Sequence, residues 1–171
     1  MKIYKILALS LILMAVLAGL TALSAADESK GTVMGKTLVN GKLTIDEVSF
    51  NIPEGYNSVE SDTDTTHTDD DGEVDHEDID GNPVDASMSE EFKNSAGDEL
   101  DIKVGIKANN AKIEKINLAG AEQKNIAGKD GYLLKEVDDG KEKYKFEYLQ
   151  DGKLVKIVAN SEDTINKVIS Q

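Results

Sequence analysis

Alternation of apolar and polar residues predicts β-strands along much of the chain. Residues 99–106 are the clearest case, because every second residue from Leu100 to Ile106 is apolar and shares one face of an extended segment. Residues 48–52 alternate in the same way and end at a Pro-Glu-Gly turn. Both segments are expected to be half-buried strands.

Tight turns predict how these strands are connected. Asn40-Gly41 lies between two short strand-like segments, and Asp151-Gly152 lies between two longer ones. Asn-Gly and Asp-Gly favour two-residue hairpin turns, because both positions tolerate a positive φ. A third hairpin with a glycine-containing turn is expected within residues 125–134.

A helix is predicted at the end of the chain. Ser161 can cap it, two acidic residues follow, and Ile165, Val168 and Ile169 form one apolar stripe. Residues 109–121 fit neither period cleanly, and a short helix is the expectation there. Hairpins followed by a closing helix predict an α+β fold, an antiparallel β-sheet with the C-terminal helix packed on it.

Residues 1–26 have the pattern of a signal peptide. Two lysines precede an apolar run over residues 6–26, with small residues at processing positions before cuts after Ser24 or Ala26. An uncleaved anchor is the alternative, because about 20 apolar residues suffice to cross a bilayer. Residues 27–171 are then expected to form a single domain, secreted or at the cell surface, that meets the membrane only through an uncleaved leader.

Composition narrows the classes of partner. The chain has no cysteine, so disulfides and thiolate chemistry are excluded. Its formal net charge of -14 repels phosphate backbones, which argues against nucleic-acid binding. An acidic surface suits solubility, a cation-rich environment, or a basic partner such as a cell-surface protein.

Acidic residues are concentrated in one tract, residues 58–85, which contains no lysine. Such a segment buries little apolar surface and its charges repel one another, so a flexible, solvated insertion is expected. The acidic residues of this tract are Glu60, Asp62, Asp64, Asp69, Asp70, Asp71, Glu73, Asp75, Glu77, Asp78, Asp80 and Asp85.

A repeated His-x-Asp-x-Asp-Gly pattern within this tract gives a candidate metal site. Oxygen ligands at alternating positions before a glycine resemble a calcium loop, although His67 stands where that loop needs an oxygen ligand. Imidazole beside carboxylates instead favours zinc, copper, nickel or manganese. A plain solvated loop without a cofactor is the third interpretation. The candidate ligands are His67, Asp69, Asp71, His76, Asp78 and Asp80.

Catalytic constellations are not predicted. Both histidines lie in the acidic tract, where no rigid scaffold is expected to hold them beside a serine or threonine nucleophile. Four aromatic residues could form a binding face, but aromatic residues in strands more often serve sheet packing, which is the expectation here. These residues are Tyr132, Tyr144, Phe146 and Tyr148.

Three short segments carry a family resemblance: residues 50–56, residues 126–132 and residues 146–155 with the following Ser161-Glu162-Asp163. Together they resemble small secreted proteins of methanogenic archaea with a PsbP-like fold, over most of the chain after Leu43. The resemblance implies that fold and an extracytoplasmic setting. It implies little about activity, although PsbP-like domains elsewhere serve as accessory or binding modules rather than enzymes. A non-enzymatic binding or accessory role is the expected function. Weak divalent-metal binding by the His/Asp-rich tract is the alternative function.

Overall fold

The computed structural model describes residues 34–68, 71–72, 74–138 and 140–170. These residues form short antiparallel strands, one 3₁₀ turn at Ala108–Asn110 and one α-helix. The elements are β1 Lys36–Val39, β2 Lys42–Ile45, β3 Val48–Asn51, β4 Asn57–Thr65, β5 His67–Thr68, β6 Val74–Asp75, β7 Asp78–Ile79, β8 Asn82–Pro83, β9 Ala86–Lys93, β10 Glu99–Ile106, β11 Glu122–Ile126, β12 Lys129–Asp138, β13 Lys141–Gln150, β14 Lys153–Ala159 and α1 Glu162–Ile169.

A seven-stranded antiparallel sheet is the main scaffold. Its strand order is β11-β12-β13-β14-β10-β9-β4, so β11 and β4 are its two edges. The register places Phe146 of β13 opposite Ile157 of β14, and Ile157 opposite Ile102 of β10. Because these three side chains lie in one cross-strand row, they contribute to the same apolar face.

This apolar face is covered by a second layer. Strands β1, β2 and β3 form a three-stranded sheet, and α1 contacts β3, β14 and β11. Inward residues of the small sheet, such as Leu43 and Phe50, join Ile165 and Val168 of the helix in the main core. The helix begins at the Ser161 cap, whose Oγ accepts a hydrogen bond from the Thr164 N–H at 3.1 Å.

The opposite face of the seven-stranded sheet is lined with polar and charged residues. The β7–β8 hairpin lies on it, and its Ile79 and Val84 pack with Leu154 in a small separate apolar cluster. Gly105 of β10 permits this close approach, since a Cβ there would lie 2.7 Å from atoms of both Ile79 and Val84.

Several sequence predictions are confirmed. The chain is α+β at the coarse level, with antiparallel hairpins and a C-terminal helix. Turns at Asn40-Gly41 and Asp151-Gly152 have positive φ at both residues, as two-residue hairpin turns require. The third expected hairpin joins β11 to β12, and the 99–106 strand has the expected bounds.

The predicted helix at residues 109–121 is wrong. Only the 3₁₀ turn Ala108–Asn110 forms, and the following residues run irregularly to β11. Asn109 and Asn110 both have a positive φ, which a right-handed helix cannot continue through. Two apolar residues of this segment, Ile113 and Ile116, instead pack against the small cluster beneath the β7–β8 hairpin.

Residues 58–85, expected to be a flexible, solvated insertion, include strands in the structure. Nearly all of β4 belongs to this tract, yet β4 pairs with β9 over its length, with a register shift between Ser58 and Glu60. An edge strand leaves its carboxylates in solvent, so pairing does not require their burial. Further along the tract, Ile79 and Val84 are buried and anchor the chain to the sheet.

Two other expectations concern the membrane and the leader. Within the described part of the chain, no helix combines the length and apolar composition that a membrane crossing requires. The predicted signal peptide or anchor, residues 1–26, lies outside the described residues.

Candidate functional site

The polar face of the sheet brings together a row of chemically active side chains. Across successive strands, the register aligns Tyr132 with Glu147, Glu147 with Lys156, Lys156 with Lys103, and Lys103 with Ser89. Alternation along each strand turns these residues away from the apolar core. The row crosses five strands, β12, β13, β14, β10 and β9. The β7–β8 hairpin covers the part of the row that contains Glu147.

Glu147 is the most unusual residue in this row. Its residue surface is fully buried, and its Oε2 accepts a hydrogen bond from Asn82 Nδ2 at 3.3 Å. Its other carboxyl oxygen, Oε1, is buried and has no hydrogen-bond partner within the described part of the chain. Among the described residues, it is the one buried side-chain oxygen or nitrogen atom of which this is true. Burial, followed by the hydrogen bond and the negative charge of Asp80, raises the pKa of Glu147 to about 8. The raised pKa favours the protonated form of Glu147 at neutral pH.

Asp80 is the acidic partner of Glu147 and lies in the turn between β7 and β8. Its carboxylate pairs with Lys156 at 3.0 Å and with Lys145 at 3.2 Å. Burial by itself would raise the pKa of Asp80, but hydrogen bonds from Glu147, Lys156 and Lys145 outweigh it and lower that pKa to about 2. The opposite shifts of the two pKa values place the proton of this pair on Glu147 and the negative charge on Asp80.

Asn82 connects this acid pair to the surrounding chain. Its side-chain amide donates to the Ile79 carbonyl at 3.0 Å, and its Oδ1 accepts from the Asn117 N–H at 2.7 Å. Asn82 is 4% exposed, so these bonds replace the hydration that it loses. One side chain therefore joins the β7–β8 hairpin, the irregular 111–121 segment and Glu147.

Asp101 extends the cluster along β10. Burial is the main cause that raises the pKa of Asp101, and Lys156 opposes this effect. A raised pKa in a buried acid, as at Glu147, is typical of groups that transfer protons during catalysis. Glu147, however, is fully buried and has no exposed surface that a substrate could contact. The arrangement can therefore store a proton and tie the hairpin to the sheet.

The candidate metal ligands do not converge in the described part of the chain. No group of three or more histidine, aspartate or glutamate residues there could hold a metal ion. His67 is exposed in β5 and faces Asp75 of β6, and Asp78 accepts a hydrogen bond from the Gly81 N–H at 2.8 Å. The carboxylate of Asp80 is held by two lysines and Glu147.

Three other candidate ligands have different positions. Asp71 and His76 are both exposed, the first beside the Gly72 turn and the second between β6 and β7. Asp69 lies outside the described residues. The repeated pattern thus spreads over two hairpins, because each copy ends in its own turn.

The aromatic residues divide between the two faces. Phe146 and Tyr148 are buried in the core with ring centroids 5.6 Å apart, as expected for sheet packing, and Tyr144 packs at the edge of that core. Tyr132 lies on the polar face, where it borders two shallow surface depressions together with Asp130. Neither depression is lined by Glu147 or Asp80.

Sequence reasoning missed the acid–lysine cluster. Glu147 stands between Phe146 and Tyr148, at a position that strand alternation assigns to solvent. The covering element comes from the tract assigned to a loop, and no local pattern links it to β13. The available signal was the Asp80-Gly81 pair, a hairpin turn with an apolar residue before it and Asn82 after it.

Comparison of the chain with protein-family models, curated proteins and solved structures finds no match. The resemblance to PsbP-like archaeal proteins therefore stays a prediction.

Proposed function

We propose that this protein is an extracytoplasmic, non-enzymatic binding or accessory module with a PsbP-like fold, whose acidic edge strand β4 binds a basic partner. The observation that carries this proposal is the position of Glu60 and Asp62 on β4, at the outer edge of the sheet. Both residues are exposed, and neither makes a salt bridge within the described residues. Their negative charge is thus available to a partner.

Other elements of the fold already cover the apolar face of the main sheet and part of its polar face, which favours the β4 edge as the surface for a partner. The apolar face of the main sheet is occupied by β1–β3 and α1, and Glu147 on the other face is covered by the β7–β8 hairpin. A rigid sheet holds β4 in one conformation, which lowers the entropy lost on binding. Charges at such an edge increase association rate and selectivity for a partner of opposite sign.

A calorimetric titration with a lysine-rich peptide tests this proposal. Glu60→Gln combined with Asp62→Asn should weaken binding by about tenfold at low salt, because two carboxylates at the interface are lost. The matched control is Glu114→Gln with Asp151→Asn, which removes the same charge at exposed positions outside β4. The proposal would be overturned if both double variants weakened peptide binding equally, or if the unaltered protein did not bind the peptide.

Weak divalent-metal binding is a second candidate function. The pairing of His67 with Asp75 places an imidazole and a carboxylate directly opposite each other in the β5–β6 hairpin. Such a pair supplies two ligands of the type that zinc and nickel accept. Titration with calcium, zinc and nickel tests this: zinc or nickel heat that His67→Ala abolishes supports it, and absence of heat at millimolar metal rejects it.

A further inference from the structure

The two edges of the main sheet differ in a way that suggests how a partner is bound. The β11 edge has five residues, and α1 contacts it through a Lys124–Glu162 ion pair at 2.7 Å. The β4 edge has nine residues, nearly all exposed, and β9 is its partner in the sheet. An exposed edge strand presents main-chain N–H and C=O groups that can pair with another strand. The longer edge is thus the one that is open.

One main-chain group of this edge has an informative partner. The Thr63 N–H donates to the Asp62 carboxylate of its own strand at 2.8 Å, at an exposed position. A donor engaged in the ladder would instead point to a carbonyl of β9. This bond therefore indicates that the Thr63 N–H faces the open side of β4, where an incoming carbonyl could replace the carboxylate.

The side chains of β4 alternate in chemistry as well as in direction. Glu60, Asp62 and Asp64 lie on the polar face of the sheet, opposite Glu91, Ser89 and Ser87 of β9. Ser61 and Thr63 point to the other face. Successive carboxylates on one face of a strand are about 6.8 Å apart, which is also the spacing of alternate residues in any added strand.

A second copy of this chain is a poor occupant of the edge. Two β4 strands pairing edge to edge would bring carboxylates opposite carboxylates, and like charges directly opposite each other destabilise a strand pair. The negative charge of the whole chain adds to this repulsion. An added strand with basic side chains at alternate positions has the opposite sign at each of these places.

We infer that β4 binds its partner by strand addition: an extended segment with lysine or arginine at every second position pairs with the β4 main chain as an eighth strand. This inference rests on the proposed function and specifies the conformation and sequence pattern of the basic partner. Main-chain hydrogen bonds supply affinity, and the alternating basic side chains meet Glu60 and Asp62. The residues between the basic positions of the added segment would lie on the face that bears Ser61 and Thr63, where small or hydroxyl side chains fit.

Three peptides of equal charge test strand addition by calorimetry. The first alternates lysine and threonine, the second groups the same lysines together, and the third is the alternating peptide N-methylated at every residue, so that neither of its edges can donate main-chain hydrogen bonds. The alternating peptide should bind about tenfold more tightly than either of the others, because only it can match the spacing and pair its main chain. Equal affinity for all three overturns strand addition while leaving a basic partner in place. No binding of any peptide overturns the proposed function as well.

A substitution in β4 gives an independent test that leaves the charge unchanged. Thr63→Pro removes the outward donor, and proline is tolerated on edge strands whose N–H faces solvent. Preference for the alternating peptide over the grouped peptide should be lost, while the grouped peptide binds as before. Thr63→Val, which keeps the N–H, is the matched control. If Thr63→Pro lowers the unfolding midpoint, the comparison of the N-methylated and alternating peptides on the unaltered protein decides the question. If a folded Thr63→Pro variant still prefers the alternating peptide over the grouped peptide, the inference is overturned.

Discussion

The two faces of the seven-stranded sheet are built from alternate residues of the same strands, yet they are held by different forces. On one face, Phe146 and Ile157 are fully buried against the three-stranded sheet and α1. On the other face, Glu147 is equally buried, but against Asp80, Asn82 and two lysines. Burial alone therefore does not distinguish the faces; the chemistry of the covering element does.

This difference changes how each face responds to solution conditions. The packing of Phe146 and Ile157 on the apolar face does not involve a titrating group, so its contribution to stability is independent of pH. The polar face contains a proton held by Glu147 beside the charged Asp80, and its contribution to stability changes when that proton leaves. Four substitutions, from the largest expected effect to the smallest, test this contrast.

Phe146→Ala should have the largest effect, because it opens a cavity in the apolar face. We expect the free energy of unfolding to fall by about 3–5 kcal/mol, similarly at acidic and neutral pH. Urea denaturation followed by circular dichroism measures this loss. Val137→Ala is the control, since Val137 is 69% exposed and its truncation should change stability by less than about 0.5 kcal/mol. A loss that varied strongly with pH would break the contrast between the faces.

Glu147→Gln should remove the pH dependence of the polar face. The pKa of Glu147 is raised from 4.5 to about 8, so the folded protein retains a proton that the unfolded chain releases. This contribution is complete below pH 4.5 and is lost as pH rises toward 8, by about 1.4 kcal/mol per pH unit. Glutamine resembles the protonated acid, so the variant should gain stability relative to the unaltered protein across this window.

Urea midpoints of both proteins between pH 4.5 and pH 8 provide the measurement. The titration of Asp80 does not interfere: its pKa is lowered from 3.8 to about 2, so its contribution is lost only as pH falls toward 2. Parallel stability curves for the two proteins would show that Glu147 has no raised pKa.

Gly105→Ala should separate the hairpin from the polar face. The new Cβ would lie 2.7 Å from Ile79 Cδ1 and Val84 Cγ1, so the β7–β8 hairpin must move. We expect a loss of about 1–3 kcal/mol, which the same denaturation experiment measures. Gly35→Ala is the control, because nothing lies within 4 Å of the position that its new methyl group would take. An unchanged stability for Gly105→Ala would mean that the hairpin does not pack on β10.

Ser161→Ala should have the smallest effect of the four. It removes the side-chain acceptor of the Thr164 N–H at the start of α1, and the expected loss is about 1 kcal/mol. Thermal unfolding measures this change, with Ser95→Ala, at an exposed turn residue, as the reference. A loss no larger than that of the reference would indicate that the cap does not contribute to the layer over the apolar face.

Much of the apolar face could be predicted from local patterns. Leu100 to Ile106 alternate in a way that only a strand accommodates, and the Asp151-Gly152 turn determines the pairing of β13 with β14. The polar face could not be predicted in this way. Glu147 has the sequence environment of a solvent-facing residue, and its burial depends on Asn82, 65 residues away in the chain.

The sequence by itself determined the strands, the tight hairpins and the capped helix, because these depend on interactions between residues close together in the chain. Tertiary structure alone decided that part of the acidic tract becomes an edge strand and that its second hairpin covers Glu147. The physical reason is that a carboxylate's charge state depends on its neighbours in space. Lys145 lies two residues from Glu147 on β13 and Lys156 lies opposite it on β14, but Asp80 and Asn82 reach Glu147 only because the β7–β8 hairpin packs on the sheet.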